Sequence, residues 1–213
     1  MAEHDGETVD EIAHPVRTAT GLQIATIAWM LTECGVALWS AMRAHSPALL
    51  AFGADSLVEL FSASVVLLQF MPRFALRQNQ AERMAGALLY ALAVGVTGTA
   101  ITALGMGVRP ETSAAGMAIT VAALVAMPWL AWKKRRLARQ SGNAALAADA
   151  VQSATCAYLA AITLLGLAVN AIWHAGWVDS AAALAAVPLI VLEARRTQQG
   201  NGCRCGMMTV NGR

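Results

Sequence analysis

The amino-acid sequence predicts an all-α polytopic membrane protein with six transmembrane helices. Three observations carry this. Of its 213 residues, 57% are hydrophobic and only 13% charged, about half the charged share of an ordinary soluble domain. The apolar residues fall into six segments, each close to the roughly 20 residues that a span requires. The basic residues gather in alternate loops, as the positive-inside rule demands of a multi-pass chain.

In chain order, residues 1–20 read as a disordered cytoplasmic tail. Glu3, Asp5, Glu7, Asp10 and Glu11 stand there with His4 and His14, either as a solvated acidic segment or as a loose collector of cations. No basic region followed by an apolar run opens the chain, so no cleavable signal peptide is expected. The six-helix domain covers residues 21–194, with spans expected at 21–44, 47–71, 83–107, 112–132, 143–172 and 177–194. The fifth is long, and the sixth is short and interrupted by Pro188. Residues 195–213 form a second short tail that ends GCRCGMMTVNGR. On a reducing side of the membrane Cys203 and Cys205 are expected as thiols rather than a disulfide. They suit capture of a soft metal, or are incidental to a loose tail.

With six spans, both termini and the second-to-third and fourth-to-fifth loops share a side. That side holds Arg17, Arg73, Arg77, Arg83, Lys133, Lys134, Arg135, Arg136, Arg139, Arg195, Arg196, Arg204 and Arg213, whereas the other holds Arg43 and Arg109. The expectation is a multi-pass protein of the cell (inner or plasma) membrane with both termini cytoplasmic. WKKRRLARQ reads as a juxtamembrane patch that fixes topology and touches anionic lipid.

Polar residues at membrane depth narrow the chemistry. The second segment carries Asp55 and Glu59 in its middle, and a carboxylate at a span centre costs about 2.5–3.5 kcal/mol on insertion scales. Positions i and i+4 share a helix face, so the two acids stack. No basic residue is expected near the middle of any span, which leaves protonation or a bound cation to explain them. The first segment adds Glu33 and Cys34. The fifth adds Asp149, Gln152, Ser153, Thr155 and Cys156, and the sixth has Asp179 at its outer end.

A shift of 97 residues lays SPALLAFGADSLVEL over NAALAADAVQSATCA, pairing Asp55 with Gln152 and Glu59 with Cys156. At 1.5 Å per residue the four lie about 12–20 Å from their helix ends, near the midplane of a hydrocarbon core about 30 Å thick. Two carboxylates, an amide oxygen and a thiolate would suit a borderline ion such as Zn2+ or Cd2+ better than Mg2+ or Ca2+. Such ligands bind deprotonated, so metal binding releases protons. Cys156 also fits a plain small apolar packing role. No helix offers a nucleophile beside a base and there is no phosphate-binding loop, so an enzyme is not expected. Nothing resembles a nucleic-acid site.

These residues resemble the cation diffusion facilitator family of six-span exporters. ALLAFGADSLVEL is similar to the family's second-helix motif, with Asp55 and Glu59 at the two ligand positions. In ADAVQSATC the fifth-helix pattern A-D-x-x-H-x-x-x-D is met at Ala148 and Asp149, while Gln152 replaces the usual His and Cys156 the usual Asp. The likeness extends over residues 21–194. It is strongest to a short bacterial subfamily without the C-terminal cytoplasmic domain and to a vertebrate vesicular zinc-binding six-span membrane protein.

The resemblance implies a homodimeric, proton-coupled exporter of zinc or a similar divalent or heavy-metal ion, with no permanently bound cofactor. It implies a metal site at Asp55, Glu59, Gln152 and Cys156. Glu33 and Asp149 would then serve as supporting or proton-carrying groups, and Cys203 and Cys205 as cytoplasmic capture. A non-transporting membrane protein that binds metal and modulates a partner is the alternative. A proton-coupled carrier of a small organic cation is a third reading, poorly served by the single Tyr158 of the fifth segment.

Overall fold

The computed structural model describes residues 4–69 and 78–198; Arg73, Arg77, Cys203 and Cys205 lie outside them. The described chain is six helices: α1 (His4–Ala44), α2 (Pro47–Gln69), α3 (Gln78–Gly105), α4 (Ala114–Ser141), α5 (Ala144–Trp173) and α6 (Trp177–Gln198). Among the described residues there is no strand. Each helix contains a stretch long and apolar enough to cross a membrane. The protein is an all-α, multi-pass membrane protein with six spans.

Three expectations change. The segment read as a disordered tail is helical from His4 onward, continuous with the first span. Once the apolar span has nucleated the helix, propagation adds one hydrogen bond per residue. The fourth helix does not stop at Trp132 but runs to Ser141, because no breaker lies between Trp132 and Gly142, which closes it in the left-handed region at φ 63°. The sixth continues through Pro188 to Gln198. A proline is tolerated there because packed neighbours re-satisfy the freed backbone groups.

Helix starts follow the cap rules. Ser113 Oγ accepts from the Gly116 amide at 3.0 Å and Asn143 Oδ1 from the Leu146 amide at 3.1 Å. Gly142 and Asn143 thus make a two-residue corner that folds α4 and α5 into an antiparallel hairpin, the most extensive helix pair in the bundle. At the far end Ser46 Oγ accepts from the Leu49 amide, and Asp179 of α6 accepts from Ser46 Oγ at 2.7 Å and the Ala48 amide at 3.1 Å. Asp179 is therefore buried for a structural reason: it caps α2.

α2 is central, packing on α1, α3, α5 and α6. The interior is rich in alanine, including Ala37, Ala93, Ala123, Ala160, Ala183 and Ala186, which lets helix backbones approach closely. Large apolar side chains such as Val94, Val125 and Leu165 face outward, where lipid tails would meet them. Exposed tryptophans mark both ends: Trp39, Trp173 and Trp177 at one, Trp129 and Trp132 at the other. Such girdles sit at headgroup level. Arg43 stacks on Trp39 at 5.4 Å, and Lys133 on Trp129 and Trp132 at 5.5 Å.

α5 and α6 meet tightly at Gly166 of α5, where a β-carbon would meet the Ala182 β-carbon of α6 at 2.6 Å. Gly166→Ala is therefore expected to push α6 away and cost about 1–3 kcal/mol, as overpacking does. Thermal unfolding of the purified variant in detergent checks this, with a lowered Tm expected.

Candidate cation site

The buried stripe of each helix follows the 3.6-residue period. On α1 it carries Gln23, Thr26, Met30, Glu33 and Ala37; on α2, Phe52, Asp55, Ser56, Glu59 and Ala63. On α5 the stripe is Asp149, Ser153, Cys156, Ala160 and Thr163; on α6 it ends in Ile190, Glu193 and Ala194. Four helices thus send Glu33, Asp55, Glu59, Asp149 and Glu193 into one interior. Glu193 lies within electrostatic range of both Asp55 and Glu59.

That interior also contains a base. α4 buries Ala123, Met127, Leu130, Ala131, Lys134, Leu137 and Ala138, and Lys134 is 0% exposed. Its neighbours Lys133, Arg135 and Arg136 are exposed. No basic residue is expected near the middle of a span, which leaves no buried base to pair with the acids; that inference is overturned, because Lys134 reaches them from the end of a span. The α4 backbone at Lys134 lies about 30 Å from the start of its helix at 1.5 Å per residue, near one boundary of the hydrocarbon. Side chains lean toward the N-terminus of their helix, so this one reaches back into the bundle.

Two polar clusters result. Toward the basic end, Lys134 Nζ is 2.9 Å from Asp149 Oδ2 and donates to Ser153 Oγ at 2.8 Å. Ser153 Oγ in turn donates to Glu59 Oε1 at 2.5 Å, and Lys134 Nζ lies 3.9 Å from that same oxygen. Gln23 of α1 donates to Asp149 Oδ2 at 2.7 Å. Deeper in the bundle, Glu33 accepts from Trp29 Nε1 at 2.6 Å and from Ser56 Oγ at 2.7 Å. The Cys156 thiol donates to Glu33 Oε1 at 3.5 Å.

Of the residues expected as ligands, Asp55, Glu59 and Cys156 all lie on buried faces. Gln152 does not share that position. It is half-buried on the flank of α5, while Ser153 and Asp149 occupy the inward stripe with Cys156. Glu33, expected as a supporting group, is instead the direct neighbour of Cys156. Sequence reasoning missed Lys134 and Glu193. The sequence holds a faint signal for each, the i, i+3, i+4 continuation of an apolar stripe after Leu130 and Ala131 in one case and after Ile190 in the other, but it names a partner for neither.

Several buried oxygens have no hydrogen-bond partner among the described residues: Glu59 Oε2, Asp149 Oδ1 and Glu193 Oε2. An unpaired buried acceptor costs about 1–3 kcal/mol, so these oxygens mark unused coordinating capacity. Cys156 and Cys34 are free thiols. Among the described residues, no three His, Cys, Asp or Glu side chains are gathered closely enough to hold a metal ion. The chemistry on offer is an acidic, partly unsatisfied interior that Lys134, the one buried base among the described residues, offsets only in part. A comparison with protein-family models finds no match, and no curated protein matches the chain.

Proposed function

We propose that this protein is a secondary transporter that exports a divalent or soft metal cation, of the zinc or cadmium kind, in exchange for protons. The observation that carries the reading is the burial of Glu33, Asp55, Glu59, Asp149 and Glu193 with Lys134, the one buried base among the described residues, and with carboxylate oxygens left unpaired. Ionisable groups inside a span are costly and mark ion pathways. A divalent cargo would neutralise what Lys134 alone does not.

The pairing of Cys156 with Glu33 supports a borderline or soft cargo. In a tetrahedral zinc site with Zn–S near 2.3 Å and Zn–O near 2.0 Å, sulfur and oxygen lie about 3.5 Å apart. Cys156 Sγ and Glu33 Oε1 are separated by 3.5 Å, so a metal can replace the thiol proton with little movement of either group. Glu33, Asp55, Glu59 and Cys156 are the ligands we assign to the cargo, drawn together from their separate places as it binds, with Gln152 on the flank. The likeness of the second and fifth helices to cation diffusion facilitators supports the same reading and the homodimer, and the basic residues gathered in alternate loops support cytoplasmic termini.

Uptake of cadmium or zinc into proteoliposomes containing only this protein tests the reading. Saturable flux that reverses with the imposed proton gradient is expected. Metal binding without flux would favour the sensing protein, and neither binding nor flux would end the metal reading. Cys156→Ser keeps the side-chain volume and removes the soft donor. Cadmium affinity is expected to fall at least tenfold and zinc affinity less, following ligand softness; equal losses for both ions would make Cys156 a packing residue.

A further inference from the structure

We infer that Lys134 is a tethered competitor of the transported cation: its ammonium sits between Glu59 and Asp149 when no cargo is bound and swings out when cargo binds. The inference rests on the transport reading above and concerns how the empty carrier is kept neutral. Lys134 is wholly buried, and its contacts are uneven. It is held tightly at 2.9 Å by Asp149 and reaches Glu59 at only 3.9 Å, mainly through the Ser153 hydroxyl between them. The grip on Glu59 is thus the weaker one, and Glu59 keeps a second oxygen, Oε2, with no partner among the described residues. Of the two carboxylates that the ammonium touches, each with a free oxygen, Glu59 is the one whose internal counter-ion is easiest to displace.

Position gives the ammonium somewhere to go. Its Cα sits on the last part of α4 beside exposed Lys133, Arg135 and Arg136, and a four-carbon stem can carry the charge out to the interface as lysines at helix ends do. A divalent ion arriving at Glu59 repels the ammonium, which moves outward with its proton retained; no change in its charge is required. When the cargo leaves, the ammonium returns. With the ammonium on one carboxylate and exchanged protons on the others, the empty site can then cross between its two orientations in the bilayer.

Two flux modes separate this from a structural role. Net export needs the empty carrier to reorient, whereas metal–metal exchange does not. Lys134→Met is expected to bind cadmium at least tenfold tighter than wild type, because the competitor is gone. It should keep exchange within threefold of wild type while net export falls at least tenfold. Lys134→Arg, which keeps a charge, should retain net export. Weaker or unchanged binding in Lys134→Met, or equal loss of both fluxes, overturns the inference and leaves the transport reading standing. Wild type that binds no cadmium overturns both.

A measurement on wild type guards against a variant that fails to fold. The chain has two lysines, Lys133 and Lys134, of which the first is exposed and serves as an internal control. Reductive dimethylation followed by mass spectrometry should modify Lys134 faster in cadmium-saturated protein than in cadmium-free protein, with Lys133 unchanged. Equal rates for Lys134 in the two states overturn the inference.

Discussion

Glu59→Gln is expected to abolish cation transport and to weaken cation binding at least about 100-fold. Loss of a group that merely supports a metal ligand costs 10–100-fold in affinity, so loss of a ligand charge sits at or beyond the upper end. The substitution is close to isosteric. The amide oxygen can still accept from Ser153, which donates to Glu59 Oε1 at 2.5 Å, so the contact between α2 and α5 survives. What disappears is the carboxylate oxygen that has no partner among the described residues and the charge that draws in the cargo. Equilibrium binding and proteoliposome flux on protein shown to be folded are the checks. Flux within twofold of wild type would remove Glu59 from the site, and Asp55, four residues away on the same buried face, would have to carry it.

Asp149→Ala should destabilise the bundle by about 1–3 kcal/mol, the cost of leaving buried donors unsatisfied, short of the full cost of an orphaned buried ion because the ammonium can move out to the interface. The carboxylate accepts from Gln23 and pairs with Lys134. Its loss leaves the ammonium with the Ser153 hydroxyl and a carboxylate 3.9 Å away, and strands the Gln23 amide as well. Chemical unfolding in detergent measures the cost. The double variant Asp149→Ala with Lys134→Met should recover most of it, because the pair is then removed together. Residues in direct contact couple by 0.5–3 kcal/mol in such cycles, and simple additivity of the two single losses would mean that they act independently. A stable Asp149→Ala protein would show that Lys134 does not need its partner.

Six spans could be read directly from the sequence because a membrane-spanning helix is a matter of composition over about 20 residues, needing no knowledge of its neighbours. The burial of Asp55, Glu59, Glu33 and Cys156 was legible for the same reason, since a polar residue inside an apolar run has nowhere else to be. The face on which each polar residue lies was harder. Positions i−3 and i−4 both neighbour a given side chain, so Ser153 and Gln152 were equally good companions for Cys156. Packing of α5 against α2 chose Ser153, which meets Glu59, and left Gln152 on the flank.

Lys134 shows the limit most clearly. In WKKRRLARQ it is chemically indistinguishable from its basic neighbours, and charge counting placed all of them in a solvated patch. The α4 helix continues past Trp132 to Ser141, and a rotation of about 100° per residue turns Lys134 inward while Lys133 and Arg135 stay outside. Composition determined that the chain crosses the membrane six times with acids inside. Only the docking of α4 against α5 and α1 decided that a lysine shares their interior, because a side chain's partners depend on helix phase and on which helices meet.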